Sequence, residues 1–219
     1  MGSLSWLPEN HDLHSSRHWG IIECIRIHGG NCATWVFWIG QLERLKEVAW
    51  DCVPKTGITH GDTVVGTSLG GMVACEIAKC CQYSSFVLLS SATHPDEVSA
   101  LLRLLHPLIQ CTPLKFLQEC SSKMPWELCR MFSEVDPVFL RNMGGAFFRW
   151  DGLQETGPVP FRIHGMLDGV IPPPENTKVL IPRGHLVATT HAEECVKALQ
   201  SFLQIGESES AWPSPLASL

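Results

Sequence analysis

The chain has no excess of basic residues with which to hold a polyanion. Lys and Arg number 16 against 22 Asp and Glu in 219 residues, giving a net charge of −6 and a pI near 5.9. That balance gives no support to a nucleic-acid partner. No apolar run reaches the ~18 residues that a transmembrane helix needs. The start, Met1 to Asn10, lacks the basic-then-apolar order of a signal peptide, and Trp6 stands where a myristoylation signal requires Ser or Thr. These absences lead to the expectation of a soluble, cytoplasmic protein. The ten cysteines contain no C-x-x-C pair, so neither a zinc ribbon nor a dithiol redox motif is expected. Most lie in apolar stretches, as in Val73-Ala74-Cys75, where a thiol acts as a small hydrophobe. No metal and no organic cofactor is expected.

What is present is a chain 45% hydrophobic and 17% charged, enough for one substantial core. Residues 1–20 are polar and carry His11, His14 and His18, and a flexible arm is expected there rather than a metal cluster. Ile21 to Ile27 reads as a buried strand. Trp35 to Leu45 fits a helix by its apolar spacing. Val48 to Val53 reads as a short strand ended by Pro54, and Thr63 to Gly66 as another. Leu69 to Cys81 has helical spacing and Phe86 to Leu89 strand character. From 93 to 157 the pattern is helical and broken by prolines. Strand character returns at Val159 to Ile163 and Lys178 to Ile181. A last helix is expected over His191 to Leu203, with Thr190 and Glu193 as a capping box. The Ser/Pro-rich end, 206–219, is expected to be disordered.

Strands alternating with helices imply a mostly parallel sheet of about six strands with helices on both faces. Ligands of such sheets bind beyond the carboxyl ends of the strands, and there the sequence becomes specific. Gly66-Thr67-Ser68-Leu69-Gly70 is a G-x-S-x-G pattern between an apolar strand and an amphipathic helix. A sharp strand-to-helix turn forces its serine into a strained backbone conformation and needs small flanking residues. The bare pattern occurs by chance in about one chain in fifteen of this length; the strand before and the helix after reduce that sharply. A serine hydroxyl needs a base to take its proton and an acid to orient that base. Asp168 follows the strand Phe161-Arg162-Ile163. His185 follows Val179-Leu180-Ile181, with Gly184 beside it to let the backbone turn. Ser68, Asp168 and His185 thus stand at three strand ends. The oxyanion would take the Leu69 N–H and a second donor from His28-Gly29-Gly30-Asn31, with Gly30 favoured and Asn31 second.

Other acids and histidines fit less well. His191 opens the last helix, Glu175 lies far past a strand end, and Asp151 precedes its strand. His28 and His164 precede glycines at strand ends and read as structural hydrogen-bonders.

The stretches IRIHGG (25–30), VVGTSLGGMVACEIA (64–78), FRIHGMLDGVIPP (161–173) and IPRGHLVATTHAEE (181–194) resemble the α/β-hydrolase superfamily. The resemblance implies that fold over roughly 20–205, with core segments 21–92 and 158–205. It also implies Ser68, Asp168 and His185 as a catalytic triad, and 93–157 as a helical lid. By the same comparison the family's first two strands are missing. So is one crossover helix, because only Pro54 to Asp62 separates two strands that should be parallel.

The function expected is a serine hydrolase acting on a small or medium carboxylic ester, with a small-molecule acyl substrate. Asn31, Leu101, Leu105, Phe147 and Trp150 are the residues expected to line the substrate site. Two other readings stand beside it: a binding or scaffold protein that keeps the framework, motivated by the short 54–62 connection, and an acyltransferase with an acceptor other than water.

Overall fold

The computed structural model describes residues 20–28, 31–39, 44–59, 62–81, 85–104, 114–121, 133, 137–154 and 157–203. Strict alternation along its central strands sets the architecture. In strand β3 (Thr63–Thr67) Val64 faces one apolar cluster and Val65 another; in β4 (Ser85–Leu89) Phe86 and Leu88 face the first, Val87 and Leu89 the second. A strand buried on both faces needs helices on both. Two further strands, β5 (Phe161–Gly165) and β6 (Val179–Ile181), extend the parallel run in the order β3-β4-β5-β6. On the other side β1 (Gly20–His28) pairs antiparallel with β3, and β2 (Asn31–Ile39) pairs antiparallel with β1, completing a sheet of six strands.

Helix α1 (Leu45–Thr56) and helix α2 (Leu69–Cys80) cover one face. There Leu45, Val48, Ala49, Met72, Val73 and Ile77 are buried against Val64, Phe86 and Leu88. The short helix α5 (Val187–Thr190) and the long α6 (Ala192–Leu203) cover the other, burying Val187, Cys195 and Leu199. Between β4 and β5 lie a 3-10 turn (Pro95–Glu97), a helical turn over 100–104, α3 (Leu114–Ser121) and α4 (Pro137–Phe148).

Near the amino terminus the structure corrects the sequence reading. Residues 35–39, expected in a helix, lie in β2, and 48–53, expected as a strand, lie in α1. The apolar spacing over 35–42 suits either period, but Thr34-Trp35-Val36-Phe37-Trp38-Ile39 is a run of β-branched and aromatic residues that favours the pleated form. In α1 the buried trio Leu45, Val48 and Ala49 falls at i, i+3 and i+4, the helical spacing. Pro54 lies inside the helix, whose end is marked by Gly57 at φ 60°. The crossover helix expected to be absent is therefore present: β2 and β3 run in the same direction, and α1 lies between them in the chain. At the other end, Thr190 does not cap the last helix. Its hydroxyl donates to the Leu186 carbonyl at 2.8 Å and belongs to α5.

One ion pair, with its guanidinium buried and its carboxylate part-buried, ties the insert to the sheet. Arg162 in β5 is 1% exposed and meets Glu97 with two parallel bonds, Nη1 to Oε2 at 2.9 Å and Nη2 to Oε1 at 2.8 Å. Thr93 joins them, accepting from Arg162 Nη2 at 2.6 Å and donating through its amide and hydroxyl to Glu97. Burial alone would raise the Glu97 carboxyl; the Arg162 and Thr93 bonds outweigh it and hold the group below its ordinary value. Removing one member of such a pair strands the other. Arg162→Met is expected to cost about 1–3 kcal/mol, read as a lowered urea midpoint. The double variant Arg162→Met/Glu97→Gln is expected to recover part of the loss.

Candidate active site

Because β3, β5 and β6 are parallel, the loops that follow them emerge at one end of the sheet. Ser68 follows β3 directly, Asp168 stands three residues beyond β5 and His185 four beyond β6. Ser68 occupies φ 50°, ψ −118°, a conformation that a non-glycine residue adopts only when its surroundings impose it. The turn is held on two sides. Its amide donates to the Leu89 carbonyl at 3.0 Å, and its carbonyl accepts from Ser91 Oγ at 2.6 Å and from the Gly71 amide at 3.0 Å. Gly66 cannot be replaced without strain, because a Cβ there would overlap the carbonyl of Gly70. Glycine at the first position of the G-x-S-x-G pattern is thus a steric requirement of the turn.

Ser68 Oγ lies 2.9 Å from His185 Nε2, and His185 Nδ1 lies 2.8 Å from Asp168 Oδ2. With Asp168 ionised, Nδ1 carries the imidazole proton and Nε2 is left bare to accept from the Ser68 hydroxyl. Asp168 Oδ1 accepts two backbone bonds, from Val170 and Ile171, both at 2.9 Å. His164, fully buried in β5, sets its Nε2 3.3 Å from Asp168 Oδ2 and 2.8 Å from the Ile171 carbonyl. Burial by itself would raise the Asp168 carboxyl. Hydrogen bonds from His164, His185 and the Ile171 amide reverse that and hold it well below the usual carboxylate range.

The loops carrying acid and base are joined to each other. The Met166 amide donates to Ile181 O at 2.8 Å and the Leu167 amide to Arg183 O at 2.9 Å. This close approach places the steric demand on Gly165, whose Cβ would overlap the Gly184 carbonyl. Gly184, expected to be the enabling glycine, has room: a Cβ there meets only Leu167 O at 3.8 Å.

The remaining expected site residues separate into groups. Leu69 begins α2 immediately after Ser68, so its amide is at the helix N-terminus beside the nucleophile position. Asn31 lies elsewhere. The register pairs Ile27 with Thr63 and His28 with Asn31, placing Asn31 at the amino end of β3 while Ser68 follows the carboxyl end. The antiparallel setting of β1 is the reason. Gly30 and Leu105 lie outside the described residues, as do His11, His14, His18 and the segment 206–219. Phe147 and Trp150 are buried in the α2-side cluster. The Trp150 indole donates to Glu76 Oε1 at 2.6 Å, and Glu76 lies seven residues beyond Leu69, about 10 Å from the start of α2. Trp150 also borders a groove of about 840 Å³ between α1, α2 and α4, together with Trp50, Lys79 and Arg149. Leu101 is 63% exposed on the insert. His191 accepts from Arg183 Nε at 2.8 Å on the surface, and Glu175 and Asp151 are exposed.

Ser91 and the His164 contact to Asp168 were missed by sequence reasoning. Ser91 could have been found, since Ser90-Ser91 follows β4 at the same end of the sheet. Among the described residues no group of His, Cys, Asp and Glu is arranged to hold a metal ion, and no helix is long and apolar enough to cross a membrane. Burial pushes the Cys75 thiol far up and the Cys195 thiol up to about 11, which leaves neither suited to nucleophilic chemistry.

No family model matches the sequence, and no curated protein does. Solved structures do match. A hydrolase from Pseudomonas aeruginosa PA01 aligns with a TM-score of 0.56 at 14% identity, over 77% of this chain and 75% of its own. The enol-lactonase from Burkholderia xenovorans LB400 aligns with 0.56 at 14%, over 74% and 73%. The 2-hydroxy-6-oxo-6-phenylhexa-2,4-dienoate hydrolase from Rhodococcus sp. strain RHA1 gives 0.50 at 14%, over 77% and 75%. Identity this low speaks to architecture, and with the sheet order and the strained serine turn it is decisive on that point: the chain has the α/β-hydrolase fold.

Proposed function

We propose that the protein is a serine hydrolase that cleaves a small or medium carboxylic ester through an acyl-serine intermediate. The observation that carries this reading is the unbroken relay Ser68 Oγ to His185 Nε2 at 2.9 Å and His185 Nδ1 to Asp168 Oδ2 at 2.8 Å, with Ser68 held at φ 50°. His185 Nε2 takes the hydroxyl proton as Ser68 Oγ bonds to the carbonyl carbon. The negative charge that develops on the carbonyl oxygen is met by the Leu69 amide. Collapse breaks the ester C–O bond, and the leaving alkoxide takes the proton from His185. Water then repeats the sequence, giving its proton to His185 and releasing the acid and free Ser68. Asp168 remains ionised throughout and holds His185 in the tautomer that accepts from serine.

An apolar acyl group suits the surroundings. Leu101 and Leu104 are exposed on the insert just after Ser99, whose amide donates to Val170 O in the acid loop at 2.9 Å. Met166 and Leu167, also exposed, immediately precede Asp168. That proximity favours the lid reading of 93–157. The binding-protein alternative was motivated by a missing crossover helix, and α1 removes that motive.

A fluorophosphonate probe is expected to label the wild-type protein at Ser68 and to leave folded Ser68→Ala unlabelled; equal labelling of both would remove the serine from the mechanism. Asp168→Asn is expected to slow labelling on the order of 10⁴-fold, because an amide cannot hold the same tautomer. The same variant tests a pH effect. The folded Asp168 carboxyl titrates below its unfolded value of about 3.9, so its stabilising contribution is full above that pH and disappears as pH falls toward the depressed folded value. The melting temperature of the wild type is therefore expected to fall below about pH 4 more steeply than that of Asp168→Asn, and parallel curves would refute the assignment.

A further inference from the structure

His164 is a buried ionisable side chain that the proton relay does not use. It sits in β5 with no exposure, four residues before Asp168. Its Nε2 faces two groups that only accept, the Ile171 carbonyl at 2.8 Å and Asp168 Oδ2 at 3.3 Å. Two acceptors facing one nitrogen fix the tautomer: Nε2 bears the hydrogen and shares it between them. His164 Nδ1 is buried and has no partner among the described residues. As the bare nitrogen of a neutral ring it needs none; as an N–H it would be stranded. The ring thus points a donor at the acid.

We infer that His164 is a positioning residue, which sets the rotation of the Asp168 carboxylate so that Oδ2 is aimed at His185. This rests on the serine-hydrolase reading for its consequence in catalysis, though not for its geometry. Asp168 has four donors around it. Val170 and Ile171 amides hold Oδ1, and His185 and His164 share Oδ2. The two amides fix one oxygen but come from a single turn, so the carboxylate plane can still swing about that oxygen. His164, approaching Oδ2 from the strand, restricts that swing. It also links Oδ2 to the Ile171 carbonyl, so the turn supplying the amide bonds and the oxygen facing His185 are braced by one ring. Donation from His164 further withdraws charge from Oδ2, which keeps the His185 proton on Nδ1 instead of moving it to the acid.

The test compares His164→Phe, which keeps ring volume without a donor, with His164→Gln, whose side-chain amide nitrogen can stand near the Nε2 position. The rate of fluorophosphonate labelling is measured across probe concentration for each. In His164→Phe the maximal rate is expected to fall about tenfold, the order set by losing one hydrogen bond to a charged group, with the half-saturating probe concentration little changed. His164→Gln is expected to recover most of that rate. Proton NMR of the His185 Nδ1–H gives a readout that needs no turnover: its resonance is expected to move in His164→Phe and return in His164→Gln. Wild-type labelling rates and an unmoved resonance in a folded His164→Phe would overturn the proposal while leaving the serine mechanism intact. Absence of labelling in the wild type would overturn the mechanism, and the NMR comparison would still decide the role of His164. Should His164→Phe fail to fold, His164→Leu, smaller and likewise without a donor, takes its place: a displaced resonance and slowed labelling in folded His164→Leu, with both restored in His164→Gln, support the proposal, and a wild-type resonance and rate in His164→Leu overturn it.

Discussion

A single carboxylate organises this end of the molecule. Asp168 is ionised in a place where burial opposes ionisation, and it can be so only because hydrogen bonds arrive from several directions. Those bonds come from its own turn, from the strand behind it and from the loop after β6. The carboxylate is therefore also the joint that fixes the relative position of two loops. Its charge sets the His185 tautomer, and that tautomer makes Ser68 Oγ a donor to Nε2. The serine turn contributes its own part, a backbone conformation braced by Leu89, Ser91 and Gly71. Without the sheet to bring three strand ends to one side, none of these groups would meet.

The sheet in turn depends on two dissimilar faces. On one, aliphatic side chains of β3 and β4 meet α1, α2 and parts of the insert; on the other they meet α5 and α6. The insert is attached at both roots. Glu97 and Thr93 grip Arg162 at one, and the Leu153 amide donates to the Thr93 carbonyl at 2.7 Å at the other. A charged group under the sheet is costly unless fully paired, and Glu97 and Thr93 supply most of that pairing. The consequence is that a long insertion leaves and rejoins the core at nearly one point, next to the acid loop.

How much of this was legible in the sequence differs from place to place for physical reasons. The strand ends before Ser68, Asp168 and His185 could be read because each closes a short run of strand character beside glycine or proline, so pattern and punctuation agree. Around 31–56 they do not agree. Tryptophans at 35, 38 and 50 suit a strand or a helix, and Pro54 suggests a boundary where the helix in fact continues. The oxyanion donor expected from the loop after the first strand presumed a parallel first strand. A sequence does not display strand direction, and the antiparallel β1 takes Asn31 to the opposite end. Phe147 and Trp150 are expected at a substrate surface because the insert that carries them is apolar, whereas their burial in the core could not be read from the sequence. The buried Glu76 and its bond to the Trp150 indole, which fix them in the core, join residues 74 apart in the chain and leave no local trace.

The stitching of the β5 and β6 loops has a mechanical consequence. Met166 and Leu167 are bonded to Ile181 and Arg183, and Gly165 lets the two backbones touch. Acid and base consequently ride on one rigid body, whereas the serine is mounted on another, the turn between β3 and α2. The imidazole–carboxylate pair is thus braced by the bonds between its own two loops, while the imidazole–hydroxyl pair is spanned by a side-chain contact between the β6 loop and the serine turn.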